Sequence, residues 1–437
     1  GDHVGGINDN STCVQCHGPD STIDGGSLRV EVVHALQLQL AGENFQYNIE
    51  NVSNMAVGQT PEVQFSVTNP NDGSYYDILN DTEWTTCTFG LSRLQIGIAW
   101  DTSDYTNTNS GSNPAQPINA GLNALACNGN PGATPVAGNP GWFSVTSTTP
   151  LPADAVGTAA VTIDGHPAVE LDLDGDGTLA FERIPVKNVF KYVGIDGATV
   201  VDRRKVVEIE NCDNCHKELS LHGNNRTDEP QVCVTCHNPN ATDARQRVPV
   251  ADPNVPPDDC VNVLGPDDVP IDFKYMIHAI HSYDPDNPDS SPYEVCGYRN
   301  SVHVFDELAV HYPGRIENCE ACHIKKAKLA NGQLPTYYPV DPSKVLGTTV
   351  SVGADPTPID DVVISPNSAV CSACHVSDLA KQHMMQNGGD FNATKAADST
   401  LISSGVETCE LCHGPGRTAD VEVVHGVRDF LLNQPQQ

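Results

Sequence analysis

Basic residues are scarce in this chain: 23 Lys and Arg stand against 56 Asp and Glu, a formal net charge of −33. Such a surface repels nucleic acid and anionic lipid headgroups, and it favours cations or mineral-associated metal ions as neighbours. Long apolar runs are missing as well. Nothing approaches the roughly 18 consecutive apolar residues of a spanning helix, so no membrane span is expected. The chain opens at Gly1-Asp2-His3 with neither a signal-peptide pattern nor an N-terminal Cys, as a processed, exported chain without a lipid anchor would. Glycine-rich nucleotide loops, a Ser/His/Asp arrangement and a paired-carboxylate site are also absent. No catalytic residue is therefore assigned, and the chain is not read as an enzyme.

What the chain does have is cysteine and histidine, 16 of each. Twelve of the cysteines fall into six copies of Cys-x-x-Cys-His: Cys13-Cys16-His17, Cys212-Cys215-His216, Cys233-Cys236-His237, Cys319-Cys322-His323, Cys371-Cys374-His375 and Cys409-Cys412-His413. This is the attachment signature of haem c, in which two thiols bond the vinyl groups and the adjacent imidazole binds iron. Zinc also accepts Cys-x-x-Cys, but a structural zinc site needs four ligands in closed pairs, and these motifs do not pair into such blocks. Six haems c are expected. The remaining cysteines, Cys87, Cys127, Cys260 and Cys296, allow three pairings. Cys87–Cys127 and Cys260–Cys296 are preferred because each pair stays within one expected domain.

The motifs supply one iron ligand each, which leaves ten histidines for the opposite side. His222 follows a motif closely in Leu221-His222-Gly223. His278 and His281 are one helical turn apart and share a face. His383 precedes Met384, Met385 and a Gly388-Gly389 break. An internal repeat adds two more: Cys-His-Gly-Pro followed by Val-Glu-Val-Val-His ends at His34 near the N-terminus and at His425 near the C-terminus. The repeat is read as motif, turn and short strand, pairing His34 with His17 and His425 with His413. With His34, His222, His278, His281, His383 and His425 as second ligands, every iron has two imidazoles. Of the others, His166 reads as a turn residue, and His303 and His311 as surface or propionate contacts. His3 reads as a terminal residue or as a ligand reaching into a neighbouring molecule.

The motifs are unevenly spread, with one at the N-terminus, a long interval, and five from Cys212 to His413. The interval holds β-type runs at residues 62–67, 94–100, 142–145, 168–171, 188–193 and 205–209, separated by Asn, Gly, Pro and Asp clusters. Residues 102–140 read as a long loop. The expected fold is mixed. A single-haem arm (1–36) precedes an all-β Greek-key barrel or sandwich (37–205), and a loop-rich, mostly α multihaem domain follows (206–437). Helices are expected at Phe273–His281, Val376–Met385 and Val424–Leu432. Asp172-Leu173-Asp174-Gly175-Asp176-Gly177 starts like a calcium loop, with Glu182 near its closing position; the alternative is an acidic hairpin turn.

The run Cys212-Asp-Asn-Cys-His216-Lys-Glu-Leu219, continuing to His222-Gly223 and Arg226 and then to Cys233-Val-Thr-Cys-His237-Asn238-Pro239, carries a family likeness. With Tyr275-Met-Ile-His278-Ala-Ile-His281, Asn318-Cys319, Cys371-Ser-Ala-Cys-His375 and His383-Met384, it resembles a pentahaem domain of the OmcA/MtrC family of outer-surface multihaem cytochromes. The resemblance covers residues 205–430 closely and 40–200 in architecture only. It implies alternating β and pentahaem domains, a bacterial cell-surface or secreted location, and electron transfer to minerals, soluble carriers or other cytochromes. Family members usually carry more haems, and the N-terminal motif resembles the last haem of a preceding pentahaem domain. A haem set apart by a whole β domain makes sense as a joint between copies, so self-association head-to-tail into a conductive filament is expected. The alternative is a monomeric surface cytochrome passing electrons to metal oxides, humics or flavins.

Overall fold

The computed structural model describes residues 37–86, 92–105, 116–123, 132–173, 177–247, 260–264, 267–298, 301–310, 312–324, 336–339, 345–350, 361–394 and 406–427. Cys13, Cys16, His17, His3, His34, Cys87, Cys127, Asp174, Asp176 and His311 lie outside them.

In the N-terminal half the strands are β1 (Gln46–Ser53), β2 (Glu62–Thr68), β3 (Arg93–Trp100), β4 (Ile118–Asn123), β5 (Thr134–Pro135), β6 (Trp142–Thr146), β7 (Thr158–His166), β8 (Ala168–Leu171), β9 (Ala180–Arg183) and β10 (Val189–Gly194). They form two four-stranded antiparallel sheets, ordered β1-β2-β6-β5 and β10-β7-β3-β4, with β8 and β9 as a separate hairpin. Both sheets give one face to a single apolar core: Tyr47, Val63, Phe65 and Val67 from the first, and Leu94, Ile96, Ile98, Val161 and Ile163 from the second. Alternation along β2 is what puts Val63, Phe65 and Val67 on the same side.

Strand β7 does not alternate, and all nine of its residues are buried. Its two faces serve different neighbours. Ala159, Val161 and Ile163 point into the sandwich core, while Ala160 joins Ala99, Tyr105 and Val234 in a second cluster against the C-terminal half. A strand covered on both faces is buried at every position, even where Thr162 and Asp164 make its outer face polar. Farther along that outer face, Asp164 pairs with Arg226 of the C-terminal half. Burial pushes Asp164 up to about 6 against the opposing pull of Arg226 and Arg93.

Three sequence expectations need correction here. Residues 102–140 contain strand β4, which extends the second sheet by pairing with β3. Residues 205–209 are not a strand: Val207 makes one isolated bridge to His323, because buried Ile209 already begins the next helix. His166, read as a turn residue, is instead the buried last residue of strand β7.

The C-terminal half has helices α1 (Ile209–His216), α2 (Pro230–Cys236), α3 (Phe273–His281), α4 (Pro366–Ser372), α5 (Asp378–Gln386), α6 (Glu410–His413) and α7 (Val421–Val424). None of these exceeds nine residues, so helix is less dominant than expected. Small sheets are interleaved: β11 (Ser220–Leu221) with β12 (Arg226–Thr227), Tyr293–Gly297 with Ser301–Phe305, and a three-stranded sheet from Thr348–Val350, Val362–Ile364 and Ala393–Thr394. The Val-Glu-Val-Val segment expected as a strand is helix α7. The Asp420 side chain accepts from the amides of Glu422 and Gly416 and so starts a helical turn. Of the two expected disulfides, Cys260–Cys296 is formed, with Cα atoms 5.8 Å apart; both cysteines of the other lie outside the described residues. No helix among the described residues is long and apolar enough to cross a membrane.

Candidate haem centres

Each described Cys-x-x-Cys-His motif is a single turn of helix. The histidine amide donates to the carbonyl of the first cysteine: His237 to Cys233 at 3.0 Å, His323 to Cys319 at 2.9 Å, His375 to Cys371 at 2.8 Å and His413 to Cys409 at 2.8 Å. This i to i−4 closure puts the first thiol and the imidazole on one face. Helix starts fix where the turn falls. Pro230 opens α2, and the Glu229 side chain caps it by accepting from the Gln231 amide.

The five motif imidazoles each face a second imidazole from a distant segment. Ring centroids are 6.2 Å apart for His216 and His281, 6.0 Å for His237 and His222, and 5.9 Å for His323 and His278. They are 6.0 Å apart for His375 and His425, and 6.1 Å for His413 and His383. Metal–nitrogen bonds of about 2 Å on opposite sides of one iron would place the centroids about 6 Å apart. Five pairs at one spacing fit that demand. The expected pairing of His425 with His413 is corrected: α7 turns His425 toward His375, and α5 brings His383 to His413.

Neutral imidazole with a free Nε2 is what iron requires, and the surroundings prepare it. Nδ1 donates to a backbone carbonyl in His237 (Ile271, 2.8 Å), His278 (Lys274, 2.6 Å), His281 (Ile277, 2.8 Å), His413 (Ala419, 3.0 Å) and His425 (Val421, 3.0 Å). A carbonyl only accepts, so the proton sits on Nδ1 and Nε2 keeps its lone pair. His323 differs. Its Nδ1 meets Thr336 Oγ1 at 3.0 Å, and that hydroxyl donates its one proton to the Val206 carbonyl at 2.9 Å. Burial, reinforced by the facing His278, pushes His323 down to about 3. Burial also lowers His237, His278 and His281.

The ten described motif cysteines are free thiols, and burial pushes Cys212 and Cys233 up to about 12. Among the described residues, no group of three or more His, Cys, Asp or Glu converges as a bare-metal site. Close in sequence to paired histidines, Leu221, Leu379, Leu411 and Val423 are more than half exposed, apolar surface that a flat apolar group could cover. Helix α3 is apolar along Met276, Ile277 and Ile280, yet no residue in it is buried. The site therefore offers thioether anchors, paired imidazoles and apolar walls, a set that fits haem c.

Sequence reasoning missed three contributors. Tyr312 packs edge-on to His281, and Tyr337 edge-on to His323; Thr336 is the hydroxyl that orients His323. In a chain with 6% aromatic residues, the adjacent Tyr337-Tyr338 pair was the available signal. His303 lies on the strand Ser301–Phe305 with Nε2 3.0 Å from Ser301 Oγ, and it is near enough to His222 to act on it electrostatically. Asp172 accepts from the Gly177 amide at 2.9 Å within the β8–β9 connection, and Glu182 sits opposite Val169 in that hairpin.

A family model described as outer membrane cytochrome MtrC/MtrF-like, domains II/IV, matches residues 204–426. Among solved structures, the chain is similar to MtrC from Shewanella baltica OS185, with a TM-score of 0.52 and 17% identity over 93% of this chain and 57% of that one. A second likeness, to the outer membrane decaheme cytochrome OmcA, has a TM-score of 0.47 and 18% identity over 88% of this chain and 49% of that one. The chain thus spans about half the length of these two structures. No curated protein sequence matches it.

Proposed function

The chain belongs to the MtrC/MtrF-like family of outer membrane cytochromes, and from that premise we propose that it carries electrons outside the cell as a bis-histidine multihaem c-type cytochrome. The observation that carries this reading is the five imidazole pairs, with centroids 5.9–6.2 Å apart. Haem c, when bound, supplies a one-electron ferric–ferrous couple. The chain's residues do the rest. The motif thiols would anchor the group, the facing imidazoles would hold it from both sides against substrate, and Nδ1 hydrogen bonds hold His237, His278, His281, His323, His413 and His425 in the ligand tautomer. A centre held by an imidazole on each side would relay electrons rather than bind and convert a molecule.

Five haems are assigned to the motifs from Cys212 to His413, with His281, His222, His278, His425 and His383 as second ligands in motif order. A sixth is assigned to Cys13, Cys16 and His17 with His34. The haem at the N-terminal arm serves as the joint between copies, so the protein polymerises head-to-tail into a conducting filament. Its location is extracellular. The net charge of −33 favours a second reading, a discrete cytochrome delivering electrons to cationic metal centres or metal oxides. Electron microscopy of native material sheared or secreted from cells separates the two. Regular filaments are the expected result; discrete particles alone, at high concentration, would overturn polymerisation and leave the second reading. A resting protein dominated by high-spin ferric iron would overturn bis-histidine electron transfer itself.

A further inference from the structure

Four of the five facing histidines sit on helices or helix ends, where backbone hydrogen bonds fix their direction. His222 does not. It lies in the four-residue loop between β11 and β12, and His222, Gly223 and Asn224 have φ of 55°, 68° and 67°, three consecutive left-handed residues. Two of these are not glycine, so the loop holds a conformation that L-residues seldom adopt unaided.

Its support comes from the β-sandwich. The Gly165 amide at the end of β7 donates to the Asn225 carbonyl at 3.0 Å. Asn224 Nδ2 donates to the Arg183 carbonyl of β9 at 2.8 Å. Asn188 receives Thr227 from both sides: its amide donates to the Thr227 carbonyl at 2.9 Å, and its Oδ1 accepts from the Thr227 amide at 3.1 Å. Arg226, immediately beyond the loop, pairs with buried Asp164 of β7. Within the loop, Asn225 Nδ2 donates to the His222 carbonyl at 2.6 Å and passes this grip to the histidine. Gly165, at φ 131°, cannot carry a Cβ, which would stand 2.1 Å from the Arg93 carbonyl oxygen of β3, so the sandwich side of this contact is itself tightly fixed.

We propose that the β-sandwich is part of the coordination apparatus of one iron: Asp164, acting through Arg226, and the Arg183 carbonyl, acting through Asn224, are positioning groups that hold His222 opposite His237. The inference rests on the reading of His222 as an iron ligand. It gives the sandwich a role beyond spacing, since loosening its contact with the loop opens one axial position and leaves the helix-borne ligands in place.

The test uses the full-length holoprotein and three variants. Asp164→Asn weakens the ion pair. Asn224→Gly removes the bond to Arg183 while keeping a residue at ease in the left-handed region. His222→Ala opens the position directly. The readouts are the high-spin ferric signal, carbon monoxide uptake by the reduced protein, and reversal of both by added imidazole. Asp164→Asn and Asn224→Gly are expected to raise the carbon-monoxide-reactive fraction of one haem about tenfold, the lower range for loss of an outer-shell contact, and imidazole should restore the low-spin form. If both variants stay low-spin and unreactive while His222→Ala takes up carbon monoxide, the sandwich does not position His222. If His222→Ala is itself silent, the ligand assignment falls first. A variant that loses all its low-spin haems together also overturns the proposal, because the contact would then serve the fold as a whole.

Discussion

The rings of His278 and His323 face each other 5.9 Å apart and only 20° from parallel, whereas those of His216 and His281 are 85° apart. The angle between two axial imidazole planes controls the splitting of the iron d orbitals and so the anisotropy of the ferric spectrum. Low-temperature electron paramagnetic resonance of the oxidised protein should therefore contain distinct classes. His278/His323 should give a rhombic signal, while His216/His281 and His383/His413, the latter at 80°, give strongly anisotropic ones. His278→Met should remove the rhombic component and spare the others.

Thr336 offers a way to tune one centre alone. Replacing it with valine deprives His323 Nδ1 of its acceptor, which makes the imidazole a weaker donor to iron and favours the reduced state. Loss of about 1 kcal/mol of hydrogen bonding corresponds to roughly a fivefold change in the reduced-to-oxidised ratio of that haem at fixed applied potential. Thr336→Ser should behave as wild type. Spectroelectrochemical titration resolves the shift.

Glu407 caps a motif helix from a distance. Its carboxylate accepts from Ser365 Oγ at 2.7 Å, from the Asn367 and Ser368 amides at 2.8 Å each, from Asn367 Nδ2 at 2.9 Å and from Ser368 Oγ at 2.8 Å. Those amides belong to the first turn of α4, which leads to Cys371 and His375. Glu407→Gln should cost about 1.5–3 kcal/mol locally, measured as faster amide exchange over residues 365–375.

Asp243 and Arg247 form a buried bidentate pair at 2.7 and 2.9 Å, and Asp243 also accepts from the Val269 and Cys296 amides at 2.8 Å each. Asp243→Asn leaves the guanidinium charge buried and is expected to destabilise by about 3–5 kcal/mol. A denaturation curve followed in the region of the His237 motif should move accordingly. A double change of both residues to apolar side chains should recover part of the loss.

The local chemistry was far more legible than the tertiary pairing. Cys-x-x-Cys-His is contained in one helical turn, and the His278/His281 spacing is contained in α3, whose observed bounds coincide with those expected. His425 was assigned to His413 through sequence closeness and a repeat. The capped turn at Asp420, which points it to His375, depends partly on Tyr338, whose hydroxyl reaches Asp420 from a distant segment. Strand β7 escaped detection for a related reason. Its outer face is covered by residues more than 60 positions away, such as Arg226 and Val234, and Ala160 interrupts the polar series of Thr158, Thr162 and Asp164. The β8–β9 hairpin, covered on one side only, kept its pattern and could be read.

His278 and His281 belong to consecutive turns of one short helix, yet each faces a different motif. On the proposed reading, two neighbouring metal centres share a rod with a rise of about 1.5 Å per residue. Tunnelling decays steeply with distance, so a link whose length is written in a helical repeat keeps its rate when surrounding loops breathe. The remaining links depend on packing between separate segments, and temperature or mechanical tension along an assembled polymer would stretch those first.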